Sequence, residues 1–178
     1  MALVAYGNRY EDVFVFENIV YAMACELRVV HVYRNRNNSL IKLHDVRHPC
    51  GCNHFSLSHS IIVTNEHIIQ YCPNGKILCI LDRSGELLRK VFIADISGQW
   101  PILYQVDVDG NFLLAHRWTN RFLIAHANQP RSQWRVVNLP ELSFFDQCVG
   151  ALWFRHRLHV TDLRGRVITF TPVDETSS

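Results

Sequence analysis

The residue types best suited to chemistry gather in one short stretch, His48-Pro49-Cys50-Gly51-Cys52-Asn53-His54. Thiolates and imidazoles this close together are ligand types that hold zinc. The spacing argues against it. The cysteines stand as C-x-C rather than C-x2-C, and no second ligand pair follows at finger distance. Pro49 and Gly51 mark a turn, so the stretch reads as a connection between strands with small buried cysteines. The ten histidines are scattered along the chain and recur at no fixed position, so no ring of metal ligands is implied. His116 and Asp162 fall at the ends of apolar stretches where they could face a channel, but a pair is not a site. No G-x-S-x-G, P-loop or HExxH pattern is present. The expectation is a non-catalytic protein with no cofactor and no metal.

The remaining composition narrows the class. The 178 residues are 48% hydrophobic, 19% charged and 11% aromatic, which suits one folded domain and excludes a mainly disordered or collagen-like chain. The net charge of +2 sets up no global field, so basic character must come from local patches. No apolar run approaches the roughly 20 residues of a membrane span, so no membrane partner is expected. The first residues, from Met1 to Arg9, lack the basic region and the long apolar run of a signal peptide. The six cysteines are then expected as reduced thiols in the cytoplasm, and the Asn37-Asn38-Ser39 sequon is expected to stay unmodified.

What must position any site is a repeat. A basic residue precedes a run of apolar residues four times: Arg28 before Val29, Lys76 before Ile77, Arg121 before Phe122, and Arg166 before Val167. The spacings are 48, 45 and 45 residues by subtraction. About nine residues upstream of each lies a second apolar stretch, starting at Ile19, Ile68, Leu113 and Leu158. Short polar turns precede these, and before the turns come further strand candidates: 13–16, 61–64, 104–108 and 151–154. A fourth strand is expected at 40–43, 87–92 and 134–137, with the Asp82-Arg83-Ser84-Gly85 connection suited to a hairpin. No segment carries a helical apolar stripe. Four short strands in about 45 residues is the period of β-propeller blades. A sandwich or barrel would not require the same basic residue at the same point of each unit. The expected fold is all-β, a β-propeller of four blade repeats at about 8–48, 49–98, 99–142 and 143–173, with a flexible tail at 174–178. The last repeat stops after three strands. Leu3 to Tyr6 could supply its fourth and close a small ring, or the chain could be part of a larger propeller.

The third repeat carries a family resemblance. Asp107-Val108-Asp109-Gly110-Asn111-Phe112-Leu113-Leu114-Ala115-His116, followed by Thr119-Asn120-Arg121-Phe122, resembles the Asp-Gly-Asn strand and Asn-His-Arg-Ile segment of NHL repeats. Asn74-Gly75-Lys76-Ile77 and Gly165-Arg166-Val167 keep parts of it. The likeness is to the C-terminal propellers of invertebrate tripartite-motif-like proteins. It implies a platform for protein or RNA, with any ubiquitin-ligase domain outside this chain. Some relatives of that family are metal-dependent lyases or lactonases, and fold alone does not choose among these.

In a propeller, the loops after the second and fourth strands of each blade share one face. Those loops gather Arg28, Arg47, Lys76, Arg117, Arg121, Arg164 and Arg166, with Trp100 and Trp118 among them. Glu26, Asp95, Glu141, Asp146 and Asp162 oppose them. Arginine with exposed aromatics suits protein hot spots, and it also grips phosphate and stacks unpaired bases. The expected partner is a protein, with single-stranded RNA as the alternative. The repeated basic residue has a structural reading too, as a bridge to an acid or to carbonyls of a neighbouring blade. Arg117 and Trp118 lie outside the repeated pattern and in a loop, where binding residues concentrate.

Overall fold

The computed structural model describes residues 10, 12–24, 27–49, 60–72, 76–93, 101–105, 110–116, 121–138, 148–154, 157–162 and 164–170. They form four antiparallel sheets, each a meander of consecutive strands. Blade 1 is β1 (Asp12–Phe16), β2 (Ile19–Ala24), β3 (Val29–Arg36) and β4 (Ser39–Arg47). Blade 2 is β5 (Ser60–Val63), β6 (His67–Cys72), β7 (Ile77–Asp82) and β8 (Leu87–Phe92). Blade 3 is β9 (Pro101–Gln105), β10 (Asn111–His116), β11 (Arg121–His126) and β12 (Arg135–Asn138). Blade 4 has three strands, β13 (Cys148–Phe154), β14 (Arg157–Asp162) and β15 (Val167–Phe170). The stretch from Leu3 to Tyr6 lies outside the described residues, as do Cys50, Cys52 and His54 of the cysteine-histidine cluster.

Turn chemistry sets the register. Asn37 and Asn38 both take positive φ, 50° and 62°. Such a two-residue turn matches the twist of its strands, and asparagine tolerates it. Pairing therefore continues to the tip, Arg36 opposite Ser39, and β3 runs past the expected end at Val32. Residues Arg34, Arg36, Asn37 and Asn38 of this hairpin are exposed. Two other hairpins use an Asp-x-x-Gly turn. Asp82 Oδ1 accepts from Glu86 N at 2.8 Å and from Ser84 Oγ at 2.6 Å, and Gly85 takes the left-handed position at φ 94°. Asp162 Oδ1 likewise accepts from Arg164 N and Arg166 N, both at 2.9 Å, with Gly165 at φ 76°. Blade 3 departs from expectation at both edges. β9 begins at Pro101, a strand's first residue being one place that tolerates proline. β12 begins at Arg135 because residues 131–133 form a 3-10 turn that tucks Trp134 inward.

The blades stack face to face through their apolar sides. Phe16, Tyr21, Met23, Val30, Val32 and Val46 of blade 1 meet Ile61, Val63, Ile68, Cys79 and Leu81 of blade 2. The opposite side of blade 2, including Ile62, Ile69, Tyr71, Leu78 and Ile80, meets Phe112, Leu114, Leu123, Ala125 and Trp134 of blade 3. Alternation along a strand sends successive side chains to opposite faces, so blade 2 serves two cores at once. The first strand of each blade touches the next blade's first strand: β1 on β5, β5 on β9, β9 on β13. Asp12 reinforces the first of these junctions, its Oδ2 accepting from Ile61 N at 3.0 Å. Burial raises the pKa of this carboxyl, against the lowering effect of its backbone hydrogen bonds.

Two arginines outside the repeated position stitch the blades. Arg83 donates to Thr64 O at 2.8 Å and to the Tyr21 hydroxyl at 2.7 Å, and lies 4.8 Å over the Phe16 ring. Arg89 donates to Gln129 O at 2.8 Å and to Ala127 O, and sits 5.6 Å over the Trp134 ring. The planar guanidinium serves both roles at once. Arg83→Ala is expected to lower unfolding free energy by about 2 kcal/mol, from lost charge-assisted hydrogen bonds and ring contact. Urea denaturation checks this, and Arg83→Lys should recover only part of the loss.

Candidate interaction face

The end of each blade where the second strand turns into the third also receives the end of the fourth. In blade 1, Arg28 occupies the turn with φ 55°, and its carbonyl accepts from His48 N at 2.8 Å. β3 and β4 pair Val29 with Arg47. Arg28 thus stands opposite His48, one position beyond the Val29–Arg47 pair, and Arg28 and Arg47 are both exposed at the blade's end. Blade 2 repeats the device. Lys76 has φ 49°, its carbonyl accepts from Ile93 N at 2.7 Å, and it is half-buried. The repeated basic residue thus sits where the chain turns left-handed and closes the blade end, a role the sequence pattern alone did not show.

Blade 4 is built differently. Asp162 is buried, and Arg166 grips it through Nε at 2.6 Å and Nη2 at 2.5 Å. The pair bridges the base of one hairpin, within its own blade. Asp162 thereby organises the turn, its Oδ1 accepting from two backbone amides and its Oδ2 from Arg166. Arg164 beside it is exposed. In blade 3, Arg121 opens β11 opposite Asn138. Arg117, Trp118 and Trp100 lie outside the described residues, as do Glu26, Asp95, Glu141 and Asp146. Arg28, Lys76, Arg164 and Arg166 thus stand at turns or strand starts of their own blades, and Arg47 at the end of β4.

Two other arrangements could do chemistry. His31 Nδ1 lies 2.6 Å from Asp45 Oδ1, and Lys42 Nζ stands 2.9 Å from that same oxygen. Burial pushes the Asp45 pKa up, but the hydrogen bonds from His31 and Lys42 outweigh it and hold the carboxyl below its ordinary value. The other ring nitrogen of His31, Nε2, is buried with no hydrogen-bond partner among the described residues, and the rings of Tyr10 and Tyr33 lie edge-on to the imidazole. The second arrangement is a hollow of about 610 Å³ at the far end of blade 3, lined by Asn111, Gln129, Ser132, Gln133, Trp134 and Arg135 among others. Among the described residues, no group of three or more His, Cys, Asp or Glu side chains could hold a metal ion.

His67 supplies a pH dependence. It is buried at the start of β6, and desolvation holds its pKa below the ordinary 6.5. The unfolded chain therefore takes up this proton first as pH falls. The stability contribution is complete above about pH 6.5 and is lost as pH falls toward the depressed folded value. The melting temperature should drop between pH 7 and pH 5, and His67→Gln should flatten that part of the slope. An unchanged slope in the variant would assign the effect elsewhere.

No family model and no curated protein matches the sequence. Solved structures do match. The WD40 β-propeller domain of Doa1 superposes at TM-score 0.60 with 15% identity, over 95% of this chain and 53% of that one. The fold is a β-propeller. Virginiamycin B lyase from Staphylococcus aureus, solved with quinupristin, matches at TM-score 0.59 and 12% identity, over 98% of this chain and 59% of the lyase. BBS1N, solved in complex with ARL6DN, matches at 0.57 and 12%, over 96% of this chain and 51% of its own. The computationally designed Ika4 protein matches at 0.62 and 10%, over 97% of this chain and 96% of its own. This propeller thus spans little more than half the length of the natural proteins it superposes with, and nearly all of the designed one.

Proposed function

We propose that this propeller is a non-catalytic scaffold that binds a protein partner through the basic end of its blades. The observation that carries the reading is the exposure of Arg28, on a left-handed turn, and of Arg47, at the end of β4, at one and the same end of blade 1. Arginine anchors protein interfaces well, because its planar fork pairs with carboxylates and stacks on rings. The favoured partner surface is a segment rich in acidic and aromatic side chains. The match to BBS1N, a propeller-like neighbour solved with a protein partner, supports the same class of function. The NHL-like motif of the third repeat fits a scaffold of this kind, and the cytoplasm is its proposed setting. Lys76, Arg164 and Arg166 are further candidates for this surface, as is Arg121; Arg117, Trp118 and Trp100 remain candidates on sequence grounds, outside the described residues.

A labelled peptide array, read at low and physiological salt, tests the proposal. The chain should select acidic-aromatic peptides, and the double variant Arg28→Glu with Arg47→Glu should lose about tenfold or more in affinity. Titration of mixed-sequence single-stranded RNA runs beside it. Tight RNA binding that falls steeply with salt, together with no peptide selection, would replace the protein partner by RNA. Metal bound stoichiometrically to the purified protein would move the reading toward the lyase-like neighbour.

A further inference from the structure

The outer strand of blade 3 stops short of its neighbour. β12 pairs with β11 from Asn138 opposite Arg121 to Arg135 opposite Ile124, so Ala125 and His126 at the end of β11 have no partner in it. The 3-10 turn at Arg131–Gln133 bridges this step. Gln133 N donates to Pro130 O at 3.0 Å and Trp134 N to Arg131 O at 3.1 Å, and the Trp134 side chain is buried. The hollow of about 610 Å³ lies at this step. Small-molecule sites span roughly 300–1,000 Å³, so its size suits one. Ile124 and Ala125 give it an apolar wall, while Gln129, Ser132, Gln133 and Arg135 line it and are exposed. The carbonyl of Gln129 is taken by Arg89 and by Trp134 Nε1. The side chains of Gln129, Ser132 and Gln133 hydrogen-bond to none of the described residues.

The surroundings are cationic. None of the described lining residues is acidic, and Arg135 has no ion-pair partner among the described residues. Arg89 and Arg131 each stand 5.6 Å from the centre of the Trp134 ring. Arg89 donates to carbonyls, so no carboxylate cancels its charge. Glu66 is bonded to this connection through Asn128, whose Nδ2 donates to Glu66 Oε2 at 3.1 Å. We propose that the hollow binds a sugar phosphate, with Arg135 taking the phosphate and Gln129, Ser132 and Gln133 the hydroxyls. A guanidinium with no structural partner offers its fork to phosphate in the bidentate geometry that suits both. Side-chain amides and a hydroxyl donate and accept alike, which matches the mixed groups of a sugar. A nucleobase fits less well. Trp134 is buried and two guanidiniums already stand over its ring, so it offers no open face for stacking. The hollow lies where β11 ends and β12 begins, the opposite end of the blade from the β10–β11 turn and the end of β12. It is therefore separate from the proposed partner face.

Isothermal titration calorimetry of the 178-residue chain with glucose-6-phosphate, ribose-5-phosphate, glucose and inorganic phosphate tests this. Both sugar phosphates should bind about tenfold or more tightly than glucose or inorganic phosphate, since each of those meets only part of the site. Arg135→Gln alters an exposed position, so circular dichroism should show it still folded. It should weaken both sugar phosphates by about tenfold or more. Ser132→Ala with Gln133→Ala should weaken them by about threefold or more and leave inorganic phosphate unchanged. The Arg28→Glu, Arg47→Glu variant should bind them as the parent does; loss there would move the ligand to the partner face and overturn the proposal. No binding of either sugar phosphate up to about 10 mM would overturn it outright. Inorganic phosphate bound as tightly as the sugar phosphates would show a bare anion site and also overturn it. So would binding that survives Arg135→Gln unchanged. A phosphoserine peptide bound more tightly than either sugar phosphate would assign the hollow to a modified protein instead.

Discussion

Phe112→Ala is expected to remove about 3–5 kcal/mol of stability. Phe112 is fully buried in the core between blades 2 and 3 and meets Trp134 edge to face, ring centres 5.4 Å apart at 87°. Truncation loses the transfer free energy of the ring and leaves a cavity that two facing sheets cannot easily collapse. Trp134 is itself held by its Nε1 hydrogen bond to Gln129 O and by the cation of Arg89 above it. Loosening Phe112 should therefore also loosen the stitch between β8 and the blade 3 turn. Tryptophan fluorescence and urea unfolding report the two effects separately. A loss under about 1 kcal/mol would mean that the two blades do not share a packed core.

Gly85→Ala should cost about 3–4 kcal/mol, for two reasons that a control separates. At φ 94°, alanine is strained in any surroundings. A methyl group there would also stand 2.8 and 2.9 Å from the two γ-carbons of Val46 in the adjoining blade. Gly165 occupies the corresponding place in the other Asp-x-x-Gly turn, at φ 76°, and a methyl group added there meets nothing within 4 Å. Gly165→Ala should then cost only the backbone strain, about 1 kcal/mol. The difference measures the contact with Val46, and Val46→Ala in the Gly85→Ala background should return part of it. Equal losses at the two glycines would refute the close approach of the blade 2 turn to blade 1.

Much of the architecture was legible in the residue pattern, for physical reasons. In blades 1 and 2 the basic residue before an apolar run marks the turn from the second strand to the third, because the chain reverses there and buried residues of the next strand follow at once. Arg28 and Lys76 show why the signal recurs. Each takes positive φ and offers its carbonyl to the residue just after the fourth strand. The sequence could not show which cations are structural. Arg83 and Arg89 bridge blades, yet nothing in their local pattern distinguishes them from solvated charges, since the acceptors they reach in the neighbouring blade are a hydroxyl 62 residues away and a carbonyl 40 residues away. Strand ends were misplaced where turn chemistry overrides hydrophobic alternation, at the paired asparagines after Arg36 and at Trp134. The candidate face was legible as a set of loops sharing one end of the blades. The pairing of Arg166 with Asp162 was not, because it depends on a side-chain geometry four residues apart in a hairpin.

Blade 2 has a distinct place in this arrangement. Its sheet is sandwiched, with Ile61 and Val63 turned one way and Ile62 and Ile69 the other. Stability along such a stack behaves as a sum of units and nearest-neighbour couplings, so opening spreads inward from the ends. The amides of β6 and β7 can open only after two couplings are broken, and those of β15 after one. Local opening of the terminal blades can then expose their edges while the middle of the stack stays closed, so a protease would trim this protein from its ends before cutting its centre.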